Sequence, residues 1–205
     1  MLDQADTTDK PTVLVVEDQS EIRSIFKEYL TPEAVVREAE SVDSALTTMD
    51  GSIDMVVLDR NMAGSTGDTF LEEIRGEGYD VPVAMVTAIF PDFDIATMAF
   101  DAYLLKPVGR MDLRNAVAAV IRRHQAGDPI RSYFATLSKV EALDAEFHPS
   151  DLIEDETFQG LQSELDLLEG EVREAFEALD DDEIRAMVAD FAQSESDLIP
   201  DFVPV

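Results

Sequence analysis

Short apolar runs alternate with segments of helical periodicity between residues 11 and 125 of the chain. The runs are rich in Val, Leu and Ile, which is typical of strands buried on both faces of a sheet. The predicted strands cover residues 12–17, 34–39, 53–58, 81–86 and 102–105. The predicted helices cover residues 21–30, 42–49, 68–75, 92–100 and 111–124. Five βα units of this kind predict a parallel sheet covered by helices on both faces, because right-handed crossovers return each strand to the same sheet.

The rest of the chain shows no strand signal. Gly127, Asp128 and Pro129 interrupt the last helix of the first half, and residues 130–147 again have helical spacing. Further on, apolar residues recur at alternating intervals of three and four and form one seam along a helix. The seam consists of Phe158, Leu161, Leu165, Leu168, Val172, Ala175 and Leu179. It either packs on the 130–147 helix of the same chain or forms a coiled coil with a second chain.

These patterns predict four regions. Residues 1–10 form a disordered lead, residues 11–126 an α/β domain, residues 130–193 an all-α domain, and residues 194–205 a loose tail. The helical domain includes a last short helix over residues 180–193.

Polar side chains follow the apolar runs where the predicted strands end. Glu17 and Asp18 end the first strand, Asp59 follows the third, Thr87 the fourth and Lys106 the fifth. In open parallel sheets, binding sites form outside the carboxyl ends of the strands. We therefore expect these five side chains to converge at one edge of the sheet.

The chemistry of this set points to a divalent cation and a phosphoryl group. Neighbouring carboxylates attract a hard cation, and Mg²⁺ prefers oxygen ligands. We expect Asp18 and Asp59 to bind Mg²⁺ directly, Glu17 to bind it more weakly or through water, and the main-chain carbonyl of Asn61 to contribute. The Asp59 carboxylate can then attack a phosphoryl group. Lys106 and the Thr87 hydroxyl are placed to bind the phosphoryl oxygens.

Charge and composition narrow the choice of partners. The formal net charge is −30, from 15 basic and 45 acidic residues, and residues 130–205 contain 4 basic and 21 acidic residues. Phosphate binding needs Lys and Arg, so the charge argues against nucleic acid as a direct partner and against an anionic membrane.

The chain has no Cys, and we find neither a signal peptide nor an apolar span, so we expect a cytoplasmic protein. Acid-rich, Lys-poor composition is typical of proteins from salt-loving archaea.

Several motifs resemble the receiver domain of two-component response regulators. They are Glu17-Asp18, the LDRNMAGSTG stretch of residues 58–67, Thr87-Ala88, and YLLKP at residues 103–107. The resemblance implies a doubly wound, flavodoxin-like sheet of strand order 2-1-3-4-5 and phosphotransfer from a sensor histidine kinase. By position it makes Asp59 the phosphoacceptor, Thr87 the switch hydroxyl, and Tyr103 the aromatic switch residue. A domain of this kind promotes only its own phosphorylation and dephosphorylation, so we do not expect an enzyme.

Two residues depart from the receiver pattern, and the pattern also predicts the geometry of one peptide bond. Ala63 stands where the family often has Pro, which suggests a less rigid loop, and Arg60 replaces a residue that is usually apolar. The resemblance and the need to aim Lys106 across the strand ends predict a cis peptide bond between Lys106 and Pro107.

Residues 83–107 and 133–146 resemble haloarchaeal response regulators that carry a C-terminal HalX domain. We therefore expect phosphorylation of Asp59 to switch the interactions of these helices, with a homodimer through the 92–125 face or the 158–179 helix as one readout. Two other hypotheses stay open. One is a transcription regulator that acts on DNA directly or through a partner. The other is a phosphorelay intermediate.

Overall fold

A computed structural model describes residues 10–177 of the chain. The expectations for residues 1–9, for the helix over 180–193 and for the tail lie outside the described residues, as does Leu179 of the predicted seam. None of the described helices is long and apolar enough to cross a membrane.

Five parallel strands form one sheet in the order β2-β1-β3-β6-β7. This is the doubly wound topology that the sequence resemblance implied, and the fold-class prediction is confirmed. A small antiparallel hairpin of two further strands follows β3. The strands are β1 Thr12–Val16, β2 Val35–Ala39, β3 Met55–Leu58, β4 Asn61–Met62, β5 Ser65–Thr66, β6 Val83–Thr87 and β7 Ala102–Leu105.

The continuous apolar runs occupy the middle of the sheet. All residues of β3 and β6 and all but the first of β1 are buried, whereas β2 at the edge is only partly covered. Burial on both faces explains why these runs lack the alternation of a one-sided strand. Each buried strand therefore ends in polar residues at the same edge of the sheet.

Residues 10–177 contain seven α-helices. Side chains cap the beginnings of two of them, since the Ser41 and Thr66 hydroxyls accept hydrogen bonds from the amides of Ser44 and Thr69. The helices are α1 Ser20–Leu30, α2 Val42–Thr48, α3 Gly67–Gly76, α4 Arg110–Gln125, α5 Asp128–Glu146, α6 Pro149–Glu154 and α7 Glu156–Glu177. Gly127, with a φ of 105°, separates α4 from α5.

The prediction of an α-helix over residues 92–100 is wrong. The structure has a 3-10 helix at Phe93–Thr97, followed by irregular chain up to β7. A short helix has little stability of its own, and its form depends on what its apolar face packs against. Here Ile95 is fully buried, and its packing holds the segment as one short 3-10 helix.

The chain divides into two compact units that are not continuous in sequence. The first comprises residues up to Phe90 together with Met98–Val117, and the second comprises Pro91–Thr97 together with residues from Ala118 on. The second unit thus takes a short segment from the middle of the α/β half. The boundaries at residues 126 and 130 remain predictions.

Within the second unit, α7 packs along α5. Phe158, Leu161 and Val172 of the predicted seam are at most 4% exposed. This confirms the first of the two interpretations of the seam, an intramolecular helical hairpin. The hairpin also holds the 3-10 helix, because Phe93 stacks on Phe147 with 4.6 Å between ring centroids and Lys139 Nζ donates to the carbonyl of Ala96 over 3.0 Å.

Candidate functional site

The carboxyl edge of the sheet brings three acidic side chains together. One carboxylate oxygen each from Glu17, Asp18 and Asp59 lies within 4.8 Å of the other two. Glu17 is 1% exposed and Asp59 is 4% exposed, so both charges lie away from bulk water. Strand geometry places them, because the amide of Asp59 bonds to the carbonyl of Val16 over 2.9 Å and continues the pairing of β3 with β1.

Lys106 is the cation of this site. Its Nζ atom lies 2.5 Å from Glu17 Oε2 and 2.7 Å from Asp59 Oδ2. Its main-chain amide donates to the carbonyl of Thr87 over 2.8 Å, which fixes the residue just beyond β7. The Lys106–Pro107 peptide bond is cis, and that prediction is confirmed. One ammonium group thus bridges carboxylates from two different strand ends.

Burial raises the pKa of the Glu17 carboxyl, and the negative charge of Asp59 adds to the rise. The hydrogen bond and the charge of Lys106 act in the opposite direction. The net rise means that the site stabilises the ionised form of Glu17 incompletely. A second positive charge at this position would therefore be favourable.

Five of the six carboxylate oxygens accept a hydrogen bond. Glu17 accepts from the Gln19 amide and from Lys106, Asp59 accepts from the Asn61 amide and from Lys106, and Asp18 Oδ2 accepts from the Ala63 amide. The sixth, Asp18 Oδ1, is buried and has no partner within residues 10–177. Buried polar atoms are rarely left unsatisfied. An oxygen-rich site with one unpartnered carboxylate oxygen fits Mg²⁺.

Thr87 is the last residue of β6, and Tyr103 lies within the neighbouring strand β7. Thr87 is fully buried, and its hydroxyl accepts a hydrogen bond from the Ile89 amide at 3.3 Å. The Tyr103 hydroxyl donates to the carbonyl of Ile89 over 2.9 Å, and its ring lies 5.6 Å from that of Phe100. Both side chains therefore contact the segment that follows β6.

Comparison with known proteins assigns the family. The family model of the response regulator receiver domain matches residues 13–118, and that of the HalX domain matches residues 122–188. The chain is a response regulator.

Relatives and solved structures agree with this assignment. The response regulator is 39% identical over 160 residues to a candidate transcriptional regulator of Haloferax volcanii, covering 78% of this chain and 27% of that protein. It is 33% identical over 115 residues to the transcriptional regulatory protein CpxR of Klebsiella pneumoniae, covering 54% of this chain and 49% of that protein. The chain thus spans less than half the length of each of these curated relatives. A receiver-domain structure from Clostridium thermocellum superposes with a TM-score of 0.51 at 31% identity, covering 57% of this chain and 98% of the other.

The structure of the response regulator also reveals three supporting residues that the sequence patterns did not identify. Arg23 Nη1 donates to the carbonyl of Glu17 over 2.6 Å, the Ala63 amide binds Asp18, and Gly67 lies against the main chain of Asp59. Ala63 was visible in the sequence only as a departure from the usual Pro, and Gly67 only as the last residue of a motif. Nothing in the sequence pattern marked Arg23 as a supporting residue, apart from its place on a predicted helix.

The two departures from the receiver pattern have structural explanations. Arg60 is buried and forms a two-pronged ion pair with Asp68, in which Nε lies 3.0 Å from Oδ1 and Nη2 lies 3.1 Å from Oδ2. This pair joins the residue after Asp59 to the first turn of α3. Ala63 supplies an amide proton that proline lacks.

Proposed function

We propose that this response regulator accepts a phosphoryl group on Asp59 from the phosphohistidine of a sensor histidine kinase. One Asp59 carboxylate oxygen attacks phosphorus, the phosphorus–nitrogen bond of the donor breaks, and the imidazole nitrogen keeps the electron pair and takes up a proton. The observation that supports this role most directly is the bridge from Lys106 Nζ to Asp59 Oδ2 and Glu17 Oε2. It places a cation where negative charge increases during transfer.

Each site residue has a role in this proposal. The Asn61 amide and Lys106 hold the two oxygens of Asp59 in a fixed orientation before the reaction. Lys106 then exchanges the Asp59 oxygen for a phosphoryl oxygen while Glu17 keeps it in place. The Thr87 hydroxyl moves from the Ile89 amide to another phosphoryl oxygen. No general base is needed, because a carboxylate is already ionised at neutral pH.

Glu17, Asp18, Asp59 and the main-chain carbonyl of Asn61 are the residues that would hold Mg²⁺. When bound, the ion offsets charge on the phosphoryl oxygens. Lys106 Nζ donates to both Glu17 and Asp59, and Asp18 Oδ1 has no partner in the described part of the chain, so the one positive charge of Lys106 offsets only part of the charge of the three carboxylates.

A groove of about 520 Å³ leads to Asp59 and gives the donor its route. Its walls are the apolar face of α1 and the segment after Lys106, and they include Ile22, Ile25, Phe26, Tyr29, Pro107 and Val108. Ile25 is 44% exposed in the free chain. We propose that a helix of the kinase, carrying the phosphohistidine, packs its apolar face in this groove.

The test is phosphorylation by a small-molecule phosphodonor with and without Mg²⁺. We expect an acyl phosphate on Asp59 that requires Mg²⁺ and is absent from Asp59→Asn. Asp54→Asn is the matched control, because Asp54 precedes β3 at the end opposite Asp59 and its carboxylate accepts a hydrogen bond from the Thr12 amide. Equal labelling of Asp59→Asn and wild type would disprove the assignment.

We further propose that the signal reaches the HalX helices through the segment Pro91–Thr97. Only residues 88–90 separate it from Thr87, and it belongs to the helical unit, where Phe93 stacks on Phe147 and Ile95 is fully buried. A movement of Thr87 toward the phosphate would displace a chain that enters that unit four residues later, at Pro91. Self-association through the 92–125 face is a further proposal, and light scattering with and without beryllofluoride tests it.

A second candidate function is regulation of transcription through a protein partner. The names of the Haloferax volcanii and Klebsiella pneumoniae relatives favour it. The 4 basic against 21 acidic residues in residues 130–205 favour a partner over direct contact with DNA. Electrophoretic mobility shift with and without a phosphate mimic distinguishes the two routes, since only direct binding retards DNA in the absence of other proteins.

A further inference from the structure

The main-chain amide of Ala63 binds a carboxylate of the acidic cluster. It donates to Asp18 Oδ2 over 2.8 Å, across 45 residues of sequence. Proline, the frequent residue here, has no N–H group and cannot make this bond. We propose that the Ala63 amide is a positioning group for the divalent cation, which holds Asp18 so that its Oδ1 atom is presented to the ion. The inference rests on the proposed function of the acidic site.

The local chain holds this amide at a fixed place. Residues 61–66 form the β4–β5 hairpin, in which Asn61 pairs with Thr66 and Met62 with Ser65. Ala63 and Gly64 make its two-residue turn, and Gly64 has a φ of 89°, a conformation that favours glycine. The hairpin is therefore a defined structure directly after the phosphoacceptor.

The base of the hairpin is fixed against Asp59. The Gly67 amide donates to the carbonyl of Arg60 over 2.9 Å. A Cβ atom on Gly67 would lie 2.3 Å from the carbonyl oxygen of Asp59, so this close approach requires glycine. The Ala63 amide is consequently held at a constant distance from the acidic cluster.

Asp18 is fixed from the other side as well. Arg23 Nη1 donates to the carbonyl of Glu17 over 2.6 Å and approaches the carbonyl of Asp18 at 3.4 Å. With the main chain held by Arg23 and Oδ2 held by Ala63, the carboxylate has one orientation. A ligand group ordered before binding loses less conformational entropy when the ion binds.

The remaining oxygen is the one suited to the ion. Asp18 Oδ1 is the single oxygen of the three carboxylates that lacks a hydrogen-bond donor among the described residues. The Ala63 bond therefore decides which Asp18 oxygen faces the cation, and it does so without using up that oxygen.

The experiment measures Mg²⁺ affinity of the full chain by titration calorimetry for wild type, Ala63→Pro and Ala63→Ser. Ala63→Pro removes the donor but suits the turn, since Met62 is extended and Gly64 follows with positive φ. We expect the dissociation constant for Mg²⁺ to rise about three- to tenfold, which corresponds to the loss of one hydrogen bond. Ala63→Ser keeps the amide and should match wild type. In phosphodonor kinetics, Ala63→Pro should raise the Mg²⁺ concentration for half-maximal rate and leave the rate at saturating Mg²⁺ unchanged.

The possible results separate the role of the Ala63 amide from the proposed function of the acidic site. Unchanged or tighter Mg²⁺ binding by Ala63→Pro, or equal weakening by Ala63→Ser, overturns the role of the amide and leaves the proposed function standing. Absence of Mg²⁺ binding by wild type overturns the proposed function itself. Should Ala63→Pro fail to fold, amide hydrogen exchange by NMR gives the answer, because the Ala63 amide must be protected in wild type and exchange at least about tenfold faster in Asp18→Ala. An unprotected Ala63 amide in wild type also overturns the inference.

Discussion

The hydroxyl of Tyr103 donates a hydrogen bond to the main-chain carbonyl of Ile89 over 2.9 Å, which ties the last strand to the segment that follows Thr87. Tyr103→Phe keeps the ring beside Phe100 and removes this tie. We expect faster amide exchange at residues 88–90 and a loss of about 1 kcal/mol in unfolding free energy. Hydrogen-exchange mass spectrometry and urea unfolding measure the two effects. Tyr79→Phe is the control, and comparable exchange in both variants would contradict the assigned role.

Lys106→Met should destabilise the protein strongly in the absence of divalent cations. The change leaves Glu17 and Asp59 buried without their cation, and breaking a buried pair in this way costs about 3–5 kcal/mol. Mg²⁺ should restore part of the loss, because it supplies positive charge at the same carboxylates. Lys27→Met, which breaks an exposed pair with Glu38, should cost about 1 kcal/mol or less and respond little to Mg²⁺. Urea unfolding with and without Mg²⁺ checks both, and equal losses in the two variants would refute the prediction.

Gly67→Ala should destabilise the fold and impair phosphorylation together. The new methyl group would lie 2.3 Å from the carbonyl oxygen of Asp59, so α3 or the strand end must move. We expect a loss of about 1–3 kcal/mol. Gly76→Ala at the end of the same helix meets no atom within 4 Å and should be neutral or stabilising by up to about 1 kcal/mol. A Gly67→Ala protein as stable as Gly76→Ala would show that the contact is not a constraint.

Phe93→Leu should uncouple the two units without affecting the phosphorylation site. The substitution removes the aromatic stack on Phe147 but leaves Asp59, Thr87 and Lys106 in place. We expect the phosphate mimic beryllofluoride to bind as in wild type while its effect on amide exchange in residues 128–147 is lost. Phe90→Leu is the matched control, since Phe90 is 63% exposed and lies outside that stack. Retention of the response in Phe93→Leu would rule out this route.

Stability should rise with salt. A net charge of −30 on 205 residues opposes compaction through self-repulsion, and added ions screen it. We expect the melting temperature, followed by circular dichroism, to increase from about 0.1 M to molar KCl. Sucrose at matched osmolality should have a much smaller effect. A melting temperature independent of KCl would contradict the proposed adaptation to high salt.

The sequence determined the sheet and the composition of its carboxyl edge. The apolar runs that became β1, β3 and β6 are buried on both faces, and such runs have few alternatives to a parallel sheet. Once the topology is given, Glu17, Asp18, Asp59 and Lys106 must lie at one edge, because the carboxyl ends of parallel strands meet there. Local patterning was therefore sufficient for the fold class and for the convergence of the site.

Only the tertiary structure decided the contacts between distant parts of the chain. The bridge from Lys106 to Glu17 spans 89 residues, and the bond from Ala63 to Asp18 spans 45. No local pattern encodes which oxygen of a carboxylate is held and which is left free. The segment 91–97 is a similar case, since its residues are helical by spacing but its form and its place in the helical unit follow from packing against α5 and α7.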